Sequence, residues 1–124
     1  MKDLNSISYD IIGSAYKVHS SLGPGLLEST YEVCLAYKLK EMGYKVETQI
    51  ALPVVFEDLK LEAGYRIDIM VENSIIIELK SVESIIPVHK AQLLTYMKLA
   101  NIKLGLLINF NVADLKQGIN RMVL

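Results

Sequence analysis

The stretch that most limits what this chain can become runs from Gly64 to Ser81, Gly-Tyr-Arg-Ile-Asp-Ile-Met-Val-Glu-Asn-Ser-Ile-Ile-Ile-Glu-Leu-Lys-Ser. Two apolar runs, Tyr65 to Val71 and Ile75 to Leu79, flank the polar Glu72-Asn73-Ser74, which is the pattern of a β-hairpin. Charges interrupt it at Asp68, Glu78 and Lys80. Side chains alternate faces along a strand, so Glu78 and Lys80 share one face. Ionised groups on strands this apolar call for a partner or a metal, because desolvating a lone carboxylate costs more than burying an apolar neighbour gains.

Register decides whether these charges meet. A two-residue turn would set Val71 against Ser74 and leave Asp68 and Glu78 on opposite faces. A three-residue turn sets Val71 against Ile75, so that Asp68 faces Glu78 and Arg66 faces Lys80, with cross-strand Cβ separations of roughly 4.5 to 5.5 Å. The three-residue turn is the expected one, with Asn73 or Ser74 in the left-handed position. Two carboxylates at that separation repel, and a divalent cation is the usual means by which such a pair stays ionised.

The rest of the chain supplies elements that could frame this hairpin. Apolar residues at Ile7, Ile11, Ile12, Ala15, Val18 and Leu22 predict a helix over 6–22, which Gly23-Pro24-Gly25 stops. A second helix is expected over 26–42, with Leu27, Tyr31, Cys34, Leu35, Leu39 and Met42 on one face and Gly43 beyond its end. Strands are expected over 44–50 and 52–57, with Asp58-Leu59-Lys60 turning the chain into the hairpin. Pro87 opens a helix over 88–100. The run Leu104 to Phe110 is too uniformly apolar for an edge and reads as a buried strand reached by crossover from that helix. A short helical turn over 112–117 and a strand over 119–123 complete the order.

With 124 residues, 52% of them hydrophobic and 22% charged, a single domain spanning 1–124 is expected. No apolar run approaches the roughly 20 residues of a membrane helix and Met1-Lys2-Asp3 opens no signal peptide, so the cytoplasm is the expected compartment. The one cysteine, Cys34, lies in a helical apolar pattern and reads as a packing residue. A net charge of −1 argues against a sequence-blind nucleic-acid coat. Yet from Ser84 onward Lys90, Lys98, Lys103, Lys116 and Arg121 stand against Asp114 alone, a distribution that suits either a phosphate backbone or a mixed solvated surface.

An acid two residues before a lysine occurs three times, at Asp58, Glu78 and Asp114. Only the second ends an apolar strand with an aspartate ten residues upstream. Asp68, then Glu78-Leu79-Lys80, then a helix bearing Gln92 and Tyr96, resembles the PD-(D/E)XK nuclease superfamily, and Gln92 with Tyr96 resembles its RecB-like branch. Gly25-Leu-Leu-Glu28-Ser-Thr-Tyr31 is similar to the small GxxExxY proteins of that superfamily. That second resemblance extends through Val18-His19, Leu22 to Gly25, Gln92 to Tyr96 and Gly105 to Phe110, nearly the whole chain. Ile67 stands where the superfamily's name has proline.

The resemblance implies an α/β fold with a restriction-endonuclease-like core, a central mixed β-sheet flanked by helices in the order αα-βββ-α-β-β. It implies Mg²⁺ or Mn²⁺ held by Asp68, Glu78 and the Leu79 carbonyl, Lys80 orienting or deprotonating the attacking water, and Glu28 joining as a further carboxylate. Gln92 and Tyr96 would bind substrate, with His19 and Arg66 as further expected contacts. The expected function is a metal-dependent nuclease hydrolysing DNA phosphodiester bonds by in-line attack of a metal-activated water. The alternative is a non-catalytic module of the same fold that binds nucleic acid or a protein partner, and specificity would come from loops, a homodimer or an accessory protein. Plainer roles stand beside each assignment. Asp68 and Glu78 could form surface ion pairs with Arg66 and Lys80, Glu28 could serve the helix dipole, Tyr96 could be core, and His19 and His89 could be satisfied structural histidines.

Overall fold

The computed structural model describes residues 2–124. Asp3 caps the first helix, its carboxylate accepting the Ser6 N–H at 2.8 Å, and α1 runs Leu4–Leu22. Gly23 ends it with φ +70 and returns its N–H to the His19 carbonyl at 2.7 Å. Helix α2 is Glu28–Glu41. Strands β1 (Val46–Ala51), β2 (Val54–Phe56), β3 (Leu59–Leu61), β4 (Arg66–Val71) and β5 (Ile75–Lys80) follow, then helix α3 (Pro87–Ala100), β6 (Leu104–Asn109), a 3₁₀ turn at Leu115–Gly118 and β7 (Ile119–Val123).

Five of the strands form one sheet in the order β1-β4-β5-β6-β7. All neighbours are antiparallel except β5 and β6, which α3 joins in parallel. Within this sheet the order αα-βββ-α-β-β holds, with β1, β4 and β5 preceding α3. Every residue of β6 is buried, as its uniform apolarity requires.

The alternation of β5 sorts the core into two layers. Ile75, Ile77 and Leu79 join Ile7, Ile11, Ala15, Tyr31, Leu35 and Leu39 on the α1/α2 side. Ile76 joins Leu93, Tyr96 and Met97 on the α3 side. Glu78, two residues beyond Ile76, shares the α3 face by the same alternation.

Two local expectations are corrected. Leu59 and Lys60 are not turn residues but open β3, because Glu57, at φ +55, and Asp58 already reverse the chain. Strands β2 and β3 then pair only with each other, as a separate ribbon in register Val54–Leu61, Val55–Lys60, Phe56–Leu59. The short helical turn lies at Leu115–Gly118, starting three residues later than expected, because Asp114 caps it by accepting the Lys116 N–H at 3.0 Å.

Candidate active site

The β4–β5 hairpin has the three-residue turn, with Val71 opposite Ile75. Glu72 and Asn73, at φ +54 and +52, take the left-handed positions, so Asn73 is as expected and Ser74 is not. Ser74 instead returns its N–H to the Val71 carbonyl at 3.0 Å. The ladder continues through Met70–Ile76 and Ile69–Ile77 and stops there.

The next pair in register is Asp68 and Glu78, and at this point side chains take over from the backbone. Glu78 Oε2 accepts the Asp68 N–H at 2.9 Å, and Asp68 Oδ2 accepts the Leu79 N–H at 2.9 Å. Each carboxyl group thus satisfies a donor on the opposite strand, and an intramolecular hydrogen bond contributes roughly 0.5 to 1.5 kcal/mol. The exchange leaves one oxygen on each acid uncommitted to the backbone. Glu78 Oε1 and Asp68 Oδ1 accept neither of these backbone bonds.

Electrostatics mark Glu78 out. Burial first, and the Asp68 charge second, push its pKa from 4.5 to about 8, while the nearby Lys80 acts in the opposite direction. Lys80 is half-buried and makes no ion pair among the described residues. The surface ion-pair role open to these residues is therefore not the one the fold uses. Leu79 is buried on the α1/α2 side and gives its N–H to Asp68.

Helix α3 brings Tyr96 to this face. Its ring is 7% exposed and meets Tyr65 edge-on at 6.2 Å. Burial raises the pKa of its hydroxyl, and the charges of Glu78, Tyr65 and Asp68 raise it further. Gln92 lies one helical turn earlier, half-buried. His89 has a structural task, since its Nδ1 accepts the Ile86 N–H at 3.1 Å and caps α3.

The Gly-Pro-Gly break and α2 supply the remaining residues. Gly25 holds φ +98, a conformation closed to most other residues. The buried Tyr31 stacks on Phe110 with centroids 4.4 Å apart, donates its hydroxyl hydrogen to the Gly23 carbonyl at 2.6 Å and accepts the Leu26 N–H at 3.1 Å. Ser81 donates to the Leu26 carbonyl at 2.6 Å. These bonds clamp the loop against the end of β5, where Glu28 Oε2 accepts the Ser81 N–H at 3.4 Å. In this way Glu28 is exposed at the first turn of α2, next to the residue that follows Lys80.

Two expected substrate contacts are engaged elsewhere. His19 is 8% exposed, and its Nε2 bonds the Val112 carbonyl at 2.7 Å, which ties α1 to the segment after β6 as a satisfied structural histidine. Arg66 does not face Lys80, because the β4–β5 ladder has ended. It pairs instead with Ala51 of β1, and its guanidinium donates to the Gln49 carbonyl at 3.3 Å.

Two residues at the site were not singled out by sequence reasoning. Glu32 follows Glu28 by one turn of α2, and Gln49 stands opposite Asp68 on β1. Gln49 Nε2 is 2.5 Å from Glu32 Oε1 and 3.4 Å from Asp68 Oδ1. Burial raises the Glu32 pKa, the Gln49 hydrogen bond lowers it and the Asp68 charge raises it again. The i, i+4 spacing from Glu28 was a usable signal for Glu32.

Among the described residues no group of three or more His, Cys, Asp or Glu side chains is gathered closely enough to hold a metal ion. The groups that could hold an ion here are two carboxylates with backbone oxygen. That set fits a hard divalent cation such as Mg²⁺, which binds through one or two carboxylates and retains several waters.

A mixed five-stranded sheet between helices, with an Asp–Glu pair and a lysine where two strands part, defines a restriction-endonuclease-like protein. A family model described as the PD-(D/E)XK nuclease superfamily matches residues 5–122, and the chain belongs to that superfamily. No curated protein and no solved structure matches it. No helix among the described residues is long and apolar enough to cross a membrane.

Proposed function

We propose that this chain is a metal-dependent nuclease that hydrolyses DNA phosphodiester bonds, a GxxExxY-type protein of the RecB-like branch acting as one domain in the cytoplasm. The observation that carries the reading is the reciprocal bonding of Asp68 and Glu78 at the point where the β4–β5 ladder stops, beside a lysine that makes no ion pair among the described residues.

Asp68, Glu78 and the Leu79 carbonyl would hold Mg²⁺ or Mn²⁺. Such an ion, when bound, supplies Lewis acidity to a phosphoryl oxygen and makes water a better nucleophile at neutral pH. The chain's own residues do the remaining work. The backbone N–H groups of Asp68 and Leu79 fix the two carboxylates in place before substrate arrives, so little reorganisation is needed on binding. Lys80 would donate from its ammonium to a phosphate oxygen or to the oxygen of the attacking water, which orients that water. Tyr96 and Gln92 present polar tips from α3 that can orient a phosphate, and Tyr65 packs the Tyr96 ring in place. Glu28 extends the acidic side beyond Ser81. The basic residues after Ser84 suit a phosphate backbone.

The test is cleavage of supercoiled, linear duplex and single-stranded DNA with Mg²⁺ or Mn²⁺. The reading requires metal-dependent product that chelator abolishes and that Asp68→Asn removes. Tight DNA binding without turnover on every substrate would identify the non-catalytic module instead. The β2–β3 ribbon supports self-association as a second feature, because Phe56, Leu59 and Leu61 lie on one ribbon face by register and are all exposed. Light scattering that finds only monomer would remove it.

A further inference from the structure

We propose that Gln49 is a positioning residue of this site, holding Glu32 of α2 and Asp68 of β4 with a single carboxamide. The inference rests on the reading of Asp68 and Glu78 as metal ligands.

Strand β1 pairs with β4 at Thr48–Ile69 and at Ile50–Ile67, and the register is continuous across the gap. The intervening pair, Gln49 and Asp68, is where the backbone departs from strand geometry, with Gln49 at φ +52. A left-handed residue other than glycine in mid-strand is strained, and such strain persists where surrounding structure fixes it. What fixes it here is polar. The Gln49 carbonyl takes the Arg66 guanidinium at 3.3 Å, and the side-chain amide nitrogen reaches Glu32 Oε1 at 2.5 Å and Asp68 Oδ1 at 3.4 Å.

The chemistry of the side chain matters as much as its placement. A carboxamide NH₂ carries two hydrogens, one for each carboxylate, and no charge. It can therefore steady two acids that repel each other and leave their negative charge for a cation. A lysine or arginine in its place would neutralise that charge. The Asp68 oxygen it reaches is Oδ1, the one not bonded to the Leu79 N–H, and hence the one free to face an ion. Gln49 thus fixes the free oxygen of a ligand from outside the ligand set, as outer-shell partners do.

Gln49→Gly tests this, because glycine accepts φ +52 without strain while the side chain that carries the amide is removed. Calorimetric titration of the purified chain with Mn²⁺ should show affinity reduced by about tenfold or more, the usual effect of losing an outer-shell partner. The melting temperature of the metal-free protein should be unchanged or higher, an outcome that a merely structural role would not give. In a Glu32→Gln background the effect of Gln49→Gly should shrink to about twofold or less, because the second acid no longer repels. Mn²⁺ affinity within about twofold of the parent, or an equal loss in both backgrounds, would overturn the proposal. If the parent binds no Mn²⁺, or binds it equally well after Asp68→Asn, the metal reading itself fails and this inference falls with it. Binding that depends on Asp68 but not on Gln49 would overturn this inference alone.

Discussion

Replacing Glu78 by glutamine should stabilise the metal-free protein by an amount that grows with pH. The Glu78 carboxyl is buried against Asp68, and burial, then the Asp68 charge, raise its pKa from 4.5 to about 8. Below the unfolded value both states are protonated and the site costs nothing. Between the two values the unfolded chain has released a proton that the folded one keeps, so stability falls as pH rises through this window. Glutamine keeps the shape and an oxygen to accept the Asp68 N–H, and it never ionises. At 1.36 kcal/mol per pH unit, the variant should match the parent near pH 4.5, exceed it by roughly 3 kcal/mol at pH 7 and level off at roughly 4 to 5 kcal/mol above about pH 8, as upper bounds. For 124 residues, with an unfolding entropy of about 2.1 cal/mol/K per residue, 1 kcal/mol moves the midpoint by about 4 °C. Circular dichroism melts in chelator should therefore separate the two proteins by roughly 10 °C at pH 7 and by almost nothing at pH 4.5. A difference that stays flat across this range, or a glutamine variant less stable at pH 7, would refute the electrostatic account of the pair.

Gly118→Ala should cost roughly 3 kcal/mol in a thermal melt, because its Cβ would stand 2.1 Å from the Asn109 carbonyl oxygen, a backbone atom that cannot step aside; an unchanged melting temperature would contradict that packing. Tyr31→Phe keeps the stacking on Phe110 but removes both bonds to the Gly23–Leu26 loop, so it should lose about 1 to 2 kcal/mol and speed hydrogen exchange at the Leu26 amide. Unaltered exchange there would show that the clamp is not needed. Lys80→Met should leave Mn²⁺ affinity nearly intact while slowing DNA cleavage by about a hundredfold or more, and equal loss of both would mean that the lysine serves the ion rather than the reaction.

The hairpin was legible because its signals agreed. Three polar residues between alternating apolar runs fixed Val71 against Ile75, and that register alone brings Asp68 to Glu78. Strand β6 was legible because an apolar run without relief can only be buried on both faces. The β2–β3 ribbon was harder. Its strands are three residues each, too short for periodicity to separate a strand from a turn, and Asp58 looks like turn chemistry from either side. Arg66 followed the register expected for an uninterrupted ladder, whereas the two carboxylates end the ladder before reaching it. Gln49 had no local signal at all. Glutamine is not a residue that favours φ above zero, and its conformation is set by Glu32, Arg66 and Asp68, which lie far from it in sequence. Glu32 lay within reach of inference, one turn beyond Glu28.

The most direct measurement is a crystal structure of the protein grown or soaked with Mn²⁺, using the ion's anomalous scattering to locate it. The account predicts a peak within about 2.5 Å of a carboxylate oxygen of both Asp68 and Glu78, on the side of the parted strands that faces Tyr96 and Lys80. A peak elsewhere, or none at these two acids while the protein is saturated with Mn²⁺ in solution, would contradict it.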